Sequence, residues 1–371
     1  MIRKISFCVV LGALLAGGVF VGCSRAAASK PAGDNITARV VCDESGIDDK
    51  SFNQSAWEGV LRYYGETRDA SPNRGKLYDA VVGQNKDQYE ALLQQVTDEG
   101  YDLIIPTGTS FDEAVKVVGR RNPNQKYLYI DEGGFGLPNV LSAVFSEQEG
   151  SYLVGVVAAL KAKADGISDP QFGFIGGMQG AVITRFEMGY VQGVLSVIPD
   201  AKILDYYAGS WSDPGAAKTK AKSWYDSGVY AIFSAAGSTG NGTIAQAKEY
   251  RAQGKNVWAI GVDSDQFADG LYNATDSAVL TSMIKRVDSA TFYGLSQVKA
   301  GTFQGGDRIL GMKEDAVGYT TTNTKAMPQS LINEVEAKKQ DILSGKLALA
   351  ATYAEAKKIP GFPQDLSALD D

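Results

Sequence analysis

The feature of this sequence that most constrains its fold is the alternation of short apolar runs with longer segments of helical periodicity. Short apolar runs bounded by polar or glycine-rich residues are typical of buried strands. Between most of them lies a segment in which apolar residues recur with the spacing of an amphipathic helix. Because strands that alternate with helices form βαβ units, the sequence predicts an α/β protein built from parallel sheets.

The predicted elements fall into two series of similar size, which indicates two lobes. The predicted strands are 36–42, 77–82, 103–106, 127–130 and 141–145 in the first series, and 172–175, 203–207, 229–234, 257–262 and 279–283 in the second. The predicted helices are 53–68, 88–99, 111–121, 147–163, 182–198, 216–227, 242–253, 286–300 and 328–344. Since ligands of parallel sheets bind beyond the carboxyl ends of the strands, we expect a site where the strand ends of the two lobes face each other.

The composition excludes several kinds of chemistry. The 371 residues contain no histidine, which rules out a Ser-His-Asp triad, a Cys-His pair and every histidine-based metal site. The formal net charge is −7, whereas a nucleic-acid binder needs clustered Lys and Arg. The glycine-rich segments fit neither G-x-G-x-x-G nor G-x-x-x-x-G-K-[ST]. The sequence therefore predicts no nucleic-acid partner, no cofactor and no metal.

The N-terminus has the pattern of a secretory signal peptide. Arg3 and Lys4 precede an uncharged, apolar stretch at residues 5–21. The alternative is a transmembrane anchor, which needs about 20 apolar residues. The following Cys23 favours the signal peptide, because Phe20-Val21-Gly22-Cys23 resembles a bacterial lipobox.

The resemblance to a lipobox implies cleavage before Cys23 and lipid modification of its thiol. Residues 1–22 are then the signal peptide, and residues 23–35, which are small and polar, are a flexible tether. Of the three cysteines, Cys42 alone would remain without lipid in the mature chain. A disulfide framework is therefore excluded.

Three predicted strands are each followed directly by an aspartate: Asp43, Asp131 and Asp263. For a single aspartate, helix capping or ordinary loop polarity is the simpler interpretation. Three at equivalent positions favour a shared site, where a buried carboxylate accepts hydrogen bonds from ligand hydroxyl or N–H groups. A cation such as Lys285, which follows the strand at 279–283, would also stabilise a buried carboxylate.

Aromatic residues near the strand ends are candidates for a stacking surface. Phe52 lies in a polar loop, where it either staples the following helix or stacks on a flat ligand. Phe233, near the end of its strand, is a candidate for the opposite face, and a core role fits it nearly as well. Phe186, in the first helix of the second lobe, is a third candidate.

Several segments resemble the basic membrane protein family. The main one is the run at residues 43–59, Asp-Glu-Ser-Gly-Ile-Asp-Asp-Lys-Ser-Phe-Asn-Gln-Ser-Ala-Trp-Glu-Gly. Further matches lie at residues 143–155, 186–190, 232–237, 240–242 and 260–266. The family consists of lipoprotein substrate-binding components of ABC importers with the type I periplasmic-binding-protein fold. The resemblance extends from about residue 36 to about residue 345.

The resemblance implies a purine nucleoside pocket whose base contacts can be carried over position by position. Asp43 and Asn53 match the residues that hydrogen-bond the purine, and Asp131 lies near the base edge. Phe52 and Phe233 match the pair that sandwiches the ring.

The ribose contacts carry over in the same way. Asp263 and Lys285 match the residues that contact the ribose, and Gly237 matches the position where the backbone approaches the ligand.

The family fold has two doubly wound parallel-sheet lobes joined by a three-strand hinge. The resemblance places lobe 1 at residues 36–150 plus 265–305 and lobe 2 at residues 151–264 plus 306–371. It places the crossovers near residues 146–170, 263–285 and 301–315.

The resemblance, together with the lipobox, implies a monomeric, non-enzymatic receptor anchored by lipid to the cell membrane and facing the periplasm or cell exterior. It would bind a purine nucleoside between its lobes and deliver it to a cognate ABC permease. One alternative is the same fold binding a sugar or another small polar solute, as a receptor or a sensor. Another is a nucleoside hydrolase that uses the aspartates.

Overall fold

The computed structural model describes residues 35–370. The strands in these residues are β1 (Ala38–Cys42), β2 (Tyr78–Val82), β3 (Leu103–Pro106), β4 (Tyr127–Ile130), β5 (Val140–Phe145), β6 (Gln171–Gly176), β7 (Lys202–Tyr207), β8 (Val229–Ala235), β9 (Trp258–Asp263), β10 (Val279–Lys285), β11 (Gly306–Leu310) and β12 (Val317–Tyr319). The α-helices are α1 (Phe52–Tyr64), α2 (Tyr89–Asp98), α3 (Asp112–Arg121), α4 (Glu147–Ala164), α5 (Ala181–Leu195), α6 (Pro214–Asp226), α7 (Asn241–Ala252), α8 (Val287–Ala300), α9 (Gln329–Leu343) and α10 (Tyr353–Ala356).

The predicted signal peptide, Cys23 and the tether up to residue 34 lie outside the described residues, so these remain predictions. Among the helices that the structure describes, none has the length and apolar character needed to cross a membrane.

The strands form two six-stranded sheets with the same internal order. The first sheet runs β2-β1-β3-β4-β5-β11 and the second runs β7-β6-β8-β9-β10-β12. All neighbouring strands are parallel except β10 and β12, which are antiparallel. The α/β prediction is confirmed. The repeated order also means that each strand of the first sheet has a counterpart in the second, and β4 corresponds to β9.

The chain passes between the sheets three times, after β5, after β10 and between β11 and β12. The lobe boundaries predicted at residues 265 and 306 are therefore wrong. The segment 279–285, expected in the first lobe, is β10 and pairs with β9 in the second sheet. The segment 306–310, expected in the second lobe, is β11 and pairs with β5 in the first sheet.

The apolar pattern does not indicate β11 and β12 because both are short edge strands. Three of the five residues of β11 are exposed, including Ile309, so no buried run marks the strand. Backbone pairing with β5 over Gly306–Leu310 holds it in place instead.

Helices α4 and α5 of the second lobe pack so closely that glycine is required at the crossing. A Cβ added at Gly193 would lie 2.1 Å from the carbonyl oxygen of Tyr152. Gly155 and Gly189 approach the facing helix almost as closely, at 2.3 Å. Main chain rather than side chains thus fixes the position of α5, whose first turns form part of the cleft described below.

We expect Gly193→Ala to lower the free energy of unfolding by about 1–3 kcal/mol, because the added methyl group forces the two helices apart. Urea denaturation followed by circular dichroism measures the change. Gly318→Ala is the matched control, since a Cβ there meets nothing within 4 Å. Equal effects of the two substitutions would contradict the close helix contact.

Candidate functional site

A cleft of about 540 Å³, including its open mouth, lies between the carboxyl ends of the two sheets. From the first lobe it is lined by Asp43, Ser45, Asp49, Phe52, Asn53, Gly108, Thr109 and Asp131. From the second lobe it is lined by Val182, Ile183, Phe186, Trp211, Ala235, Ala236, Gly237, Val262, Asp263 and Lys285. Of the eight residues predicted for the ligand site, all but Phe233 line this cleft.

Phe233 does not reach the cleft, so its predicted place in a ring sandwich is wrong. Its side chain is fully buried in β8 and packs against the rings of Phe174, Phe186 and Tyr190. The alternative core role is the one the structure supports. Phe186, in front of it, and Trp211 are the aromatic residues that the second lobe presents to the cleft.

Trp211 is a site residue that the sequence pattern did not indicate. It lies in the loop after β7, where no periodicity marks it. A Cβ at Gly177 would lie only 2.2 Å from the indole ring, so the ring rests directly on the main chain after β6. A glycine at the end of the strand is the local signal that could have indicated a closely packed partner.

Asp131 and Asp263 occupy equivalent positions in the two lobes. Asp131 follows β4, Asp263 ends β9, and both residues are only 6% exposed. Both residues have positive φ, 100° for Asp131 and 65° for Asp263. Because non-glycine residues rarely adopt this conformation, the strain it carries is typical of functional sites. The repeated topology thus brings one carboxylate from each lobe to the cleft.

Asp43 and Asn53 form a hydrogen-bonded pair on the first-lobe wall. Asn53 Nδ2 donates to Asp43 Oδ1 at 2.9 Å, and Thr107 Oγ1 donates to Asn53 Oδ1 at 2.6 Å. These contacts fix the orientation of the amide. Burial raises the pKa of Asp43 to about 6, although hydrogen bonds from Ser45 and Asn53 partly oppose the rise.

Asp49 is a further residue that the sequence pattern did not indicate. Its buried carboxylate accepts backbone N–H groups of Ser51, Asn53 and Gln54, each at 2.9 Å. Burial raises its pKa, and these hydrogen bonds oppose the rise. Asp49 therefore anchors the loop that presents Phe52, and most of its hydrogen-bonding capacity is taken up by the protein.

Lys285 is the one cation among the residues that line the cleft, and its side chain is only 1% exposed. Its Nζ pairs with Asp131 of the first lobe and lies 2.9 Å from Glu147 Oε1. Burial alone would lower the pKa of Lys285, but the charges of Asp131, Glu147 and Asp263 raise it instead. Lys285 therefore stays protonated.

The carboxyl group of Asp263 is protonated more readily than that of an ordinary aspartate. Burial raises the pKa of its carboxyl group to about 7, and the charge of Lys285 and a hydrogen bond from Ser51 Oγ only partly oppose this. Near neutral pH the group can therefore accept or donate a hydrogen bond. This suits contact with a hydroxyl group, which can also do both.

Direct hydrogen bonds join the two lobes along one side of the cleft. The carbonyl oxygen of Lys50 accepts from Gln266 Nε2 at 3.1 Å, and that of Asp49 accepts from Asn241 Nδ2 at 2.9 Å. Ser45 Oγ donates to the carbonyl oxygen of Trp211 at 3.1 Å. The structure is therefore a closed form, in which the loop before α1 contacts the second lobe.

The lining has the chemistry of a site for a neutral, flat, hydroxylated ligand. Four carboxylates against a single ammonium disfavour a phosphate, and aromatic rings with apolar side chains suit a flat ring. Among the described residues no cluster of His, Cys, Asp or Glu has the arrangement of a metal site.

Stability should depend on pH through Asp263. Its folded pKa of about 7 exceeds the ordinary value of 3.8, so the folded protein holds a proton that the unfolded chain releases. The contribution of Asp263 to the free energy of unfolding of the ligand-free protein should therefore fall as pH rises from about 4 to 7. We expect Asp263→Asn to make this fall shallower in urea denaturation series at about pH 5 and pH 8. Asn in place of exposed Asp200 is the control, and identical slopes for wild type and Asp263→Asn would contradict the assignment.

Comparison with known proteins agrees with this geometry. The family described as ABC transporter substrate-binding protein PnrA-like, named Bmp, matches residues 36–352. A CD4+ T-cell-stimulating antigen of Listeria innocua is 37% identical, over 93% of this chain and 98% of that protein. The ABC transporter nucleoside-binding protein BmpA of Lactococcus lactis is 35% identical, over 91% of this chain and 96% of its own.

A solved structure shows the same fold. The ABC transporter solute-binding protein of Aeropyrum pernix superposes with a TM-score of 0.74 at 28% identity, over 89% of this chain and 94% of that one. The resemblance predicted from the sequence is confirmed. The chain belongs to the Bmp family of PnrA-like ABC transporter substrate-binding proteins.

Proposed function

We propose that this substrate-binding protein takes purine nucleosides as its ligands. The observation that carries the proposal is the convergence, in one cleft, of an aromatic ring, an amide–carboxylate pair and a carboxylate–ammonium pair. The aromatic ring can stack on the plane of a base. The amide–carboxylate pair can hydrogen-bond the N–H groups and ring nitrogen atoms of the base, and the carboxylate–ammonium pair can hydrogen-bond the ribose hydroxyls. The name of the Lactococcus lactis relative, a nucleoside-binding protein, supports the same ligand class.

The base stacks on Phe52, with Trp211 or Phe186 of the second lobe on its other face in place of Phe233. Asp43 and Asn53, held together on the first-lobe wall, hydrogen-bond the purine edge. Asn53 donates and accepts, so it can pair with either kind of group on the base. Asp131 lies toward the same edge, with its carboxylate shared with Lys285.

The ribose lies toward the second lobe, where Asp263 and Lys285 contact its hydroxyls and Gly237 lets the main chain approach. Gly237 has a φ of 55°, a conformation that glycine adopts without strain. A site built to bind hydroxyl groups rejects ligands that lack them, because its own polar groups are then left unpaired in a buried place.

Closure of the lobes over the nucleoside would present a docking surface to a cognate ABC permease, and the ligand would be released unaltered. We also propose that Cys23 carries lipid, which would hold a monomeric receptor at the outer face of the cell membrane. The name basic membrane protein, given to a Borreliella burgdorferi relative, supports a membrane location.

A thermal-shift screen of protein lacking residues 1–34 tests the ligand class. We expect adenosine, guanosine or inosine to raise the unfolding temperature, because a ligand at 100 times its Kd adds about 2.7 kcal/mol of stability. Ribose and the matching 5′-monophosphates should have little effect. A response to ribose equal to that of the nucleosides would instead indicate a sugar receptor, and indifference to every nucleoside would contradict the proposal. Free base released from inosine would indicate a hydrolase.

The role of Phe52 has its own test. We expect Phe52→Ala to weaken nucleoside binding by about 1–3 kcal/mol, the value of stacking one base on an aromatic ring. Isothermal titration calorimetry measures the change. Phe292→Ala removes a partly exposed ring on α8 and should leave the affinity unaltered. Unchanged affinity in the Phe52 variant would refute the stacking role.

A further inference from the structure

A buried group of charges lies behind the cleft, and two of its members do not line it. Glu147 is completely buried and Arg185 is largely buried, with its side chain 17% exposed. They join Lys285 and Asp131, which do line the cleft. Two cations thus face two carboxylates at a place where uncompensated charge would be very costly.

The chain path explains why these residues meet. Glu147 is the first residue of α4, directly after the chain enters the second lobe. Lys285 is the last residue of β10, directly before the chain leaves it. Arg185 reaches the pair from α5, so Glu147, Lys285 and Arg185 all belong to the second lobe. Asp131 alone comes from the first lobe.

The carboxylate of Glu147 is divided between the two cations. Its Oε1 lies 2.9 Å from Lys285 Nζ, and its Oε2 lies 2.5 Å from Arg185 Nε. Burial alone would raise the pKa of Glu147, but Lys285 and Arg185 hold it below its ordinary value. Glu147 is therefore ionised and attracts Lys285 toward the second lobe.

Lys285 is thus attracted by Asp131 across the cleft, by Glu147 behind it and by Asp263 at the end of β9. The rings of Phe52 and Phe186 lie 5.1 and 5.3 Å from its ammonium group. Without Glu147, the ammonium would keep its ion pair with Asp131 and the attraction of Asp263. Without Arg185, Glu147 would keep only its ion pair with Lys285 among the described residues and would draw the ammonium toward itself.

We infer that Glu147 and Arg185 are positioning residues that hold the ammonium group of Lys285 where it meets the ribose of the ligand. This inference rests on the proposed function, because it assigns the ribose contact to Lys285. Neither residue touches the ligand. Both act through the balance of charge on Lys285, as outer residues do when they orient the direct ligands of a metal.

The test compares a nucleoside with its free base, because only the nucleoside has the ribose. We expect Glu147→Gln to weaken adenosine binding by about tenfold more than adenine binding, measured by calorimetry. Arg185→Gln should likewise weaken adenosine binding more than adenine binding. If the Glu147 variant fails to fold, the Arg185 variant alone tests the positioning role. A purely structural role would weaken both ligands equally, because both need the folded cleft.

Asp165→Asn is the matched control. Asp165 is the C-cap residue of α4, at the opposite end of the helix from Glu147, and the substitution removes its largely buried ion pair with Lys161. The ratio of adenosine to adenine affinity in the Asp165→Asn variant should equal that of the wild type. If the wild type binds adenosine and both test variants keep its ratio, the positioning role is overturned while the proposed function stands. If the wild type binds neither ligand, the proposed function fails and the inference with it.

Discussion

The ion pair between Lys285 of the second lobe and Asp131 of the first is the interaction on which the rest of the site depends. Both side chains are buried, so an unpaired charge on either of them would be costly. Their pairing joins the end of β10 to the residue after β4 across the cleft. Glu147 and Arg185 complete the balance of charge behind it, while Asp43 and Asp263 line the cleft itself.

The repeated order of the two sheets explains how one chain assembles such a site. In both lobes the fourth strand of the series ends at an aspartate with positive φ, so Asp131 and Asp263 approach the cleft from opposite sides. The lobes differ in what surrounds these residues. The first lobe adds an ordered polar loop anchored by Asp49, and the second adds apolar and aromatic residues from α5 and the loop at Trp211.

Most of the fold could be predicted from the sequence because buried parallel strands have continuous apolar sequences. The predicted bounds of β3 and β4 agree with the structure residue for residue. The edge strand β11 could not be predicted, since main-chain pairing rather than burial holds it. The lobe boundaries implied by the resemblance were wrong, although the order of the apolar runs had placed the strand at 279–283 in the second series, where the structure has it.

The site residues could be predicted where they directly follow strands. They could be predicted less well where the direction of the side chain determines whether a residue faces the cleft or the core. Asp43, Asp131 and Asp263 are marked by their places at strand ends. Phe233 lies close to a strand end as well, but alternation along β8 directs its ring into the core. Glu147 lies on a helix that is buried nearly all round, so a charge at its first residue resembles ordinary helix capping until the partners Lys285 and Arg185 are seen.

A crystal structure of the protein with inosine tests the proposed binding mode. We expect the base plane to lie against the ring of Phe52, with its edge at Asp43 and Asn53. We expect the ribose hydroxyls to lie within hydrogen-bond distance of Asp263 and Lys285. A nucleoside bound outside this cleft, or bound with its ribose at Asn53 and its base at Lys285, would contradict it.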